Sequence, residues 1–357
     1  MLFPSSLTVY VNASHLLLAI LFIDDSFLSF IFGEFIMAHL VETMAYVGST
    51  PWHGLGNHLE EQQPLEVWAK QAGMDWSILE APVRFMTGDE QTSSIRTFAD
   101  NKVLYRSDTN APLSVVSQRY QVVQPREILE FYRDLTEVSG FELETAGVLK
   151  GGRKIWALAK TGQSMCLRGN DVTNGYLLLA TACDGTLATT AQFTSIRVVC
   201  NNTLAVALNG QGQAVKVPHN TTFDAQAVKK QLGVSVAAWD DFMYRLKTLS
   251  ERKVKSTEVD KFYAKVFGDV AMKGQASMQS FERTMAKAKT LFEGQGLGSE
   301  LSSAKGTAFG LLNSVTEFVD HQRKARSVDH RLDSAWFGQG ATIKQRALDE
   351  ALRLVSA

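Results

Sequence analysis

The sequence lacks the signatures of the common nucleotide-binding and hydrolytic sites. It contains no GxxxxGK[ST], no HExxH and no GxSxG motif, and no GxGxxG motif that opens a helix after a strand. These absences argue against P-loop nucleotide hydrolysis, zinc-peptidase chemistry and serine-hydrolase chemistry. We therefore expect no cofactor, no bound metal and no catalytic residue, and we favour a non-enzymatic protein.

Cysteine is scarce, and neither sign of charge dominates. The three cysteines, Cys166, Cys183 and Cys200, form no CxxC pair, so we expect free thiols in the core of a protein from a reducing compartment, which favours the cytoplasm. The formal net charge of -1 excludes a polybasic chain, so nucleic-acid binding would need a local patch. The 357 residues, 45% of them hydrophobic, suffice for one or two globular domains.

The first 36 residues differ in composition from the rest of the chain. Residues 1–36 contain no Lys or Arg but six of the 20 Phe. They lack the basic start of a signal peptide, and two aspartates interrupt the apolar run after Ile23. Gly33-Glu34 can be encoded by a purine-rich ribosome-binding sequence shortly before Met37. We predict that residues 1–36 are an untranslated leader or a non-native extension; a membrane anchor is the alternative, and we expect no membrane association.

Residues 83–200 carry the signals of an antiparallel sheet with at least one packed helix. Two hairpins are indicated, one around Gly151-Gly152 and one around Asp184-Gly185, each flanked by β-branched or apolar segments. Apolar residues at helical spacing predict a helix from Pro125 to Gly140. Further short strands are predicted at 83–87, 102–106 and 113–117, and a short helix near 64–72.

The character changes to helical after Pro218. Apolar residues three and four apart predict helices at 224–248, 256–267, 279–293, 300–325 and 341–355. Asn201-Asn202-Thr203 resembles the N-cap of another helix that runs through Leu208. Residues 37–217 hold 15 bases and 18 acids, and residues 218–357 hold 21 and 16. We predict an α+β fold, in which an antiparallel β-sheet with packed helices (37–217) precedes a mainly helical half (218–357) that packs on the sheet.

The segment TEFVDHQRKAR places an acid and a histidine four residues apart. Glu317, His321 and Lys324 share a helix face, with Asp320 beside them. A carboxylate and an imidazole at this spacing can hold a divalent metal, but the sequence offers no third or fourth ligand nearby. We favour a solvated, salt-bridged helix face; an enzyme whose metal centre is assembled from distant residues, such as His53, Asp320 and His321, is the alternative.

Basic residues concentrate in three places that suit nucleic acid. Residues 245–265 contain seven bases and three acids and are accompanied by Tyr244, Phe262 and Tyr263. Such charge binds backbone phosphate, and exposed aromatic rings stack on single-stranded bases. An ordinary helical surface with core aromatics is the alternative. From these patches and one strand residue, the predicted nucleic-acid contacts are Lys150, Arg153, Lys154, Arg197, Arg245, Arg252, Lys253, Lys255, Arg323, Lys324 and Arg326.

Arg197 is unusual because it lies in a strongly apolar strand. A charge there is costly unless it is paired or lies on the open face. Together with Asn201 and Asn202 at the start of the predicted helix, Arg197 suits an anion bound by backbone N–H groups and the helix dipole. A structural Arg–carboxylate pair with asparagine capping explains the same residues.

Three ordered segments carry a family resemblance. MAHLVETMAYVGSTPWHGLG near Met37, FTSIRVVCNNTL in the middle, and GTAFGLLNSVTEFVDHQRKAR with RLDSAWFG near the end resemble the phage/plasmid-like proteins that carry domain of unknown function 932. The resemblance spans residues 37–357 and independently favours Met37 as the start. It implies a setting on phages, plasmids and integrated elements, and it transfers no catalytic residue.

Together these observations favour an accessory protein of DNA metabolism on a mobile element. The first hypothesis is a non-enzymatic protein that binds or anneals single-stranded DNA. Positive charge would give it affinity for the backbone, and aromatic rings would stack on bases. Homo-oligomer formation is part of this hypothesis. The alternative is a protein-binding module that blocks or redirects a host factor, such as a defence or replication protein.

Overall fold

The structure is a computed structural model. It describes residues 43–49, 56–88, 93–199, 202–205, 214–236, 238–271 and 275–356. The strands are β1 (Met44–Val47), β2 (Asn57–Leu59), β3 (Ile78–Thr87), β4 (Ser94–Arg106), β5 (Pro112–Ser117), β6 (Glu142–Leu149), β7 (Lys154–Leu167), β8 (Asp171–Ala182), β9 (Thr189–Arg197), β10 (Asn202–Ala205) and β11 (Val215–Val217). The helices are α1 (Leu65–Gln71), α2 (Pro125–Ser139), α3 (Ala225–Val236), α4 (Ala238–Glu251), α5 (Ser256–Ala271), α6 (Gln275–Thr290), α7 (Ala308–Glu317), α8 (Val328–Phe337) and α9 (Gln339–Ser356).

The larger sheet is a meander with the strand order β10-β9-β8-β7-β6-β1-β2, and β11 pairs with β9. Its pairs are antiparallel except for β1 with β2. Both predicted hairpins are present. At the β6–β7 connection, Gly151 and Gly152 have φ values of 69° and 101°, a left-handed conformation that favours glycine. The α+β prediction is therefore confirmed.

The central strands of this sheet are covered on both faces. Helix α2 lies on one face, where the Tyr132 hydroxyl donates to the carbonyl oxygens of Ala157 (2.8 Å) and Leu177 (2.9 Å). On the other face, Trp156 packs edge-on against Trp336 of α8. Burial on both faces explains why residues 175–182 of β8 are all buried, whereas burial alternates over residues 171–174.

The smaller sheet has the order β3-β4-β5 and ends in a protruding arm. Strand β5 pairs only with residues 101–105 of β4, and the register of β3 with β4 shifts between Pro82 and Val83. Beyond this irregularity the hairpin continues as a two-stranded ribbon, whose residues are exposed or only partly buried. We call residues 83–87 and 94–98 the β3–β4 arm.

The helical half packs around α7, in which every residue is buried. The Thr307 side chain caps this helix by accepting a hydrogen bond from the Gly310 N–H at 3.0 Å. Helix α5 packs beside it, and the Tyr263 hydroxyl contacts the Ser314 hydroxyl at 2.7 Å. None of the helices in the described part of the chain combines the length and apolar character needed to cross a membrane.

Three details of the helix predictions are wrong. Asn202–Ala205 is strand β10 rather than a helix start, because its backbone pairs with Thr194–Arg197 of β9. The helix predicted at 300–325 begins only at Ala308, since the residues before it form turns. Helix α8 has no counterpart among the predictions. The leader prediction and the domain boundary at residue 36 fall outside the described residues, and the boundary at residue 217 stays a prediction.

The cysteine prediction holds for one residue and fails for another. Cys183 is a buried free thiol, and burial raises its pKa to about 12. Cys166 is exposed, because it lies in the alternating, partly solvated end of β7. Cys200 lies outside the described residues.

Candidate nucleic-acid interface

Two lysines at the basic tip of the β6–β7 hairpin form ion pairs with helix α8. The Lys150 ammonium contacts the Asp333 carboxylate at 2.6 Å, and the Lys154 ammonium pairs with the same carboxylate. Burial alone would raise the pKa of Asp333, but hydrogen bonds from the two lysines hold this pKa below its usual value. Lys150 and Lys154 therefore join the sheet to the helical half, and only Arg153 of this predicted patch is exposed.

Arg197 is a structural residue, and its assignment to nucleic acid is wrong. Its side chain is 4% exposed and forms a bidentate pair with the buried Asp171 carboxylate, at 2.8 and 2.7 Å. The guanidinium also donates to the carbonyl oxygens of Leu297 (3.3 Å) and Gly298 (3.0 Å). Because Asn202 lies in strand β10, the described residues directly after Arg197 form a strand rather than the helix N-terminus of the anion site that we considered. The alternative of an Arg–carboxylate pair accounts for the geometry.

Two of the predicted arginines on α4 and the loop after it are neutralised. Arg245 pairs with Asp241 at 2.8 Å. Arg252 pairs with Glu258 at 2.7 Å and donates to the Leu354 carbonyl oxygen at 2.9 Å. The backbone N–H of Lys255 and the Arg252 guanidinium hold the pKa of Glu258 below its usual value. These arginines therefore contribute mainly to the protein's own packing.

The remaining positive charge in this region lies on exposed lysines, and one tyrosine of α4 is exposed as well. Tyr244 is 68% exposed, and Lys247 follows it one turn later on α4. None of the lysines forms an ion pair with a carboxylate among the residues that the structure describes. We call this set the α4–α5 basic surface, and its members are Tyr244, Lys247, Lys253, Lys255 and Lys261.

Residues 245–265 hold three acids against seven bases, and two of these acids are paired. Glu258 is paired as described, and Asp260 contacts the Lys289 ammonium at 3.0 Å, which leaves Glu251 as an exposed acid. The two other predicted stacking rings are in the core: Phe262 is 2% exposed and Tyr263 is 0% exposed. The surface therefore offers lysines and a single aromatic ring.

The second basic cluster lines a concave site between the segment after α7 and the first turns of α8. Arg323 donates to the Ser334 hydroxyl at 3.0 Å and also contacts Gln339; burial lowers its pKa. Lys324 and Arg326 are exposed. The cavity has a volume of about 210 Å³ and is lined by Val319, Arg323, Lys324, Ala325, Arg326, His330, Arg331 and Ser334.

The expected solvated face of the DHQRKAR segment is partly buried. Asp320 is 2% exposed; its carboxylate contacts the buried Lys344 ammonium at 2.7 Å and accepts from the Thr203 N–H at 2.8 Å. Burial lowers the pKa of Lys344, and the charge of Asp320 opposes this shift. His321 contacts Asn202 at 3.1 Å. Asp320 thus connects β10, through Thr203, with α9, through Lys344. The spacing of these residues in the sequence does not reveal this role.

Glu317, on the same segment, is also buried, and its carboxylate accepts from the Leu297 N–H at 3.0 Å. Burial raises the pKa of Glu317. His53, the distant member of the metal centre that we considered, lies outside the described residues. Among the described residues, no group of three or more His, Cys, Asp or Glu side chains is placed to hold a metal ion.

The sequence arguments missed the β3–β4 arm. Cross-strand pairing places Phe85 beside Arg96 on one face of the ribbon, and Met86 beside Ile95 on the other. Met86 is 72% exposed and Ile95 is 67% exposed, and Phe85 and Phe98 are nearly half exposed. The run VRFMT alone does not show that its side chains are exposed, because only the register shift at Pro82 separates it from the packed part of the sheet.

One family model matches the chain, the Domain of unknown function (DUF932), over residues 112–336. The match begins at β5 and ends in α8, so it includes the larger sheet from β6 through β11 and the concave basic site. No curated protein and no solved structure matches the chain. Because the match covers more than half of the 357 residues, the chain belongs to the family defined by the domain of unknown function DUF932.

Proposed function

We propose that this protein binds single-stranded DNA without a cofactor or turnover, as an accessory protein of DNA metabolism encoded by a mobile element such as a phage or plasmid. In this proposal it acts in the cytoplasm, binds or anneals strands, and works as a homo-oligomer. One observation carries the proposal: residues 244–261 present four exposed lysines that have no carboxylate partner among the described residues, together with one exposed tyrosine ring.

Charge and ring have complementary roles in such a site. Lysine ammonium groups attract backbone phosphates in any sequence and release bound counterions, which gives an affinity that falls with salt. An aromatic ring adds stacking on an unpaired base, worth about 1–3 kcal/mol per base. Because paired bases are already stacked within a duplex, Tyr244 favours single strands over duplex.

Fluorescence anisotropy with labelled single-stranded and duplex DNA tests this proposal. We expect the full chain to bind the single strand more tightly, with a logarithm of affinity that falls linearly with the logarithm of salt concentration. Lys70→Gln/Lys230→Gln, which removes two exposed lysines from α1 and α3, serves as a charge-matched control and should bind as the wild type does. Failure of the wild type to bind either DNA at low salt would refute the proposal.

A second candidate function, a protein-binding module that blocks or redirects a host factor, is favoured by the β3–β4 arm. Clusters of exposed large apolar side chains are uncommon on monomeric proteins and mark interaction sites. The arm presents Phe85 and Phe98 on one face and Met86 and Ile95 on the other. A protein partner would cover these side chains, either by packing on a face or by pairing with a strand edge of the arm that has no partner strand among the described residues.

The variant Phe85→Ser/Phe98→Ser separates this candidate from DNA binding. Both side chains are nearly half exposed, so the free energy of unfolding should change by less than about 1 kcal/mol. If the arm binds a protein, the variant loses a complex that the wild type forms with the purified partner, while its affinity for single-stranded DNA stays the same. Sedimentation of the isolated protein tests whether that partner is a second copy of the chain.

A further inference from the structure

The concave site beside α8 has an unusual distribution of charge. Five basic side chains line it, and no carboxylate of the described part of the chain does. The acids of the same segment point to other partners: Asp320 pairs with Lys344, Asp333 pairs with Lys150 and Lys154, and a carboxylate oxygen of Asp329 accepts from the Lys150 N–H at 3.2 Å. The cavity is therefore a local region of positive potential within a chain whose formal net charge is -1.

Two of the arginines are held in place by the protein. Arg331 donates to the His321 carbonyl oxygen at 2.6 Å, and Arg323 donates to Ser334. Burial lowers the pKa of the Arg323 guanidinium, because a charge loses hydration when it is buried. An anion in the cavity beside Arg323 would offset that cost.

We propose that this cavity binds the phosphomonoester group at the end of a nucleic-acid strand. Three arginines, a lysine and a histidine offer more donors than the two oxygens of a carboxylate can use, whereas a phosphomonoester presents three oxygens and about -1.5 to -2 charges. Arginine forks match phosphate geometry. A volume of about 210 Å³ also exceeds what a single water molecule needs, and it leaves room for a five-atom phosphate group.

The assignment to a strand end rests on the proposed function, whereas the phosphate site itself stands on the cavity alone. A backbone phosphodiester carries a single charge and is flanked by sugars on both sides. A terminal phosphate is more highly charged and is free on one side, which suits a concave site. The α4–α5 basic surface would then bind the backbone, and the cavity would bind the end of the strand.

Calorimetric titration of the full chain with inorganic phosphate tests the site. The informative variant is Lys324→Gln/Arg326→Gln, because both side chains are exposed and the fold does not depend on them. We expect phosphate affinity to fall at least about tenfold, as two charge-assisted contacts are lost. The matched control, Lys253→Gln/Lys255→Gln, removes the same charge from the α4–α5 basic surface and should titrate as the wild type does. Absence of phosphate binding to the wild type, or equal binding to both variants, would overturn the site.

Oligonucleotides with and without a 5′ or 3′ phosphate then identify the source of the phosphate. We expect the wild type to prefer the phosphorylated end and Lys324→Gln/Arg326→Gln to lose that preference. Binding of inorganic phosphate without any preference between the oligonucleotides would overturn the strand-end assignment and indicate a small phosphorylated compound. Loss of all oligonucleotide binding with intact phosphate binding would refute the proposed function and leave the phosphate site in place.

Discussion

The salt dependence of DNA binding depends on how many lysines of the α4–α5 basic surface contact phosphate. Four of its members, Lys247, Lys253, Lys255 and Lys261, are exposed. For single strands the slope of log affinity against log salt is about -0.7 per phosphate contact, so four contacts give about -2.8. Between 50 and 200 mM salt, this slope corresponds to a loss of affinity of about 50-fold.

The double variant Lys253→Gln/Lys255→Gln should halve this dependence. Two remaining contacts give a slope of about -1.4, and the same increase in salt then weakens binding only about sevenfold. Lys253 donates to the Lys305 carbonyl oxygen at 2.6 Å. Because this contact lies at the surface, water can replace it, and the unfolding temperature should stay close to that of the wild type.

The assay is anisotropy of a labelled single strand across this salt range, with Lys70→Gln/Lys230→Gln as the control that keeps the wild-type slope. An unchanged slope in Lys253→Gln/Lys255→Gln would show that these lysines do not contact phosphate, and it would refute the assignment of the surface. A reduced slope in both double variants would indicate a response to overall charge rather than to this site.

Three further predictions concern other residues. Arg197→Gln should lower the free energy of unfolding by about 3–5 kcal/mol, because Asp171 is left buried without its partner; urea unfolding measures this, and a change below about 1 kcal/mol would contradict the structural role. Asp333→Asn should lower the free energy of unfolding by about 3 kcal/mol near neutral pH, because the buried Lys154 ammonium loses its carboxylate partner. Since the pKa of Asp333 is lowered in the folded state, its stabilisation is present above the unfolded pKa and is lost as pH falls through the folded pKa, so thermal unfolding of wild type and variant should converge in acid. Tyr244→Ala should weaken single-strand binding by about 1–3 kcal/mol while Tyr244→Phe retains it; equal affinities in anisotropy titrations would exclude stacking.

Local signals predicted much of the fold. Pro125 begins α2 and the helix ends before Gly140, because proline suits a first helical turn and glycine favours the chain reversal after a helix. The pair Gly151-Gly152 marks the β6–β7 hairpin, since its backbone conformation is one that glycine adopts at little cost. The sequence patterns do not indicate helix α8. Asn and Thr at 202–203 suit a helix N-cap locally, but pairing with β9 places these residues in strand β10, and that pairing is not visible in the local sequence.

The sequence by itself determined the α+β class, the main hairpins and the positions of the basic clusters, because these depend on residues close together along the chain. Only the tertiary structure decided which bases remain available to a ligand. Lys150 contacts Asp333 across 183 positions, and Arg197 contacts Gly298 across 101 positions. The cost of burying a charge depends on the partners that distant segments bring to it, so a run of bases looks alike in the sequence whether it faces solvent, a carboxylate or a cavity.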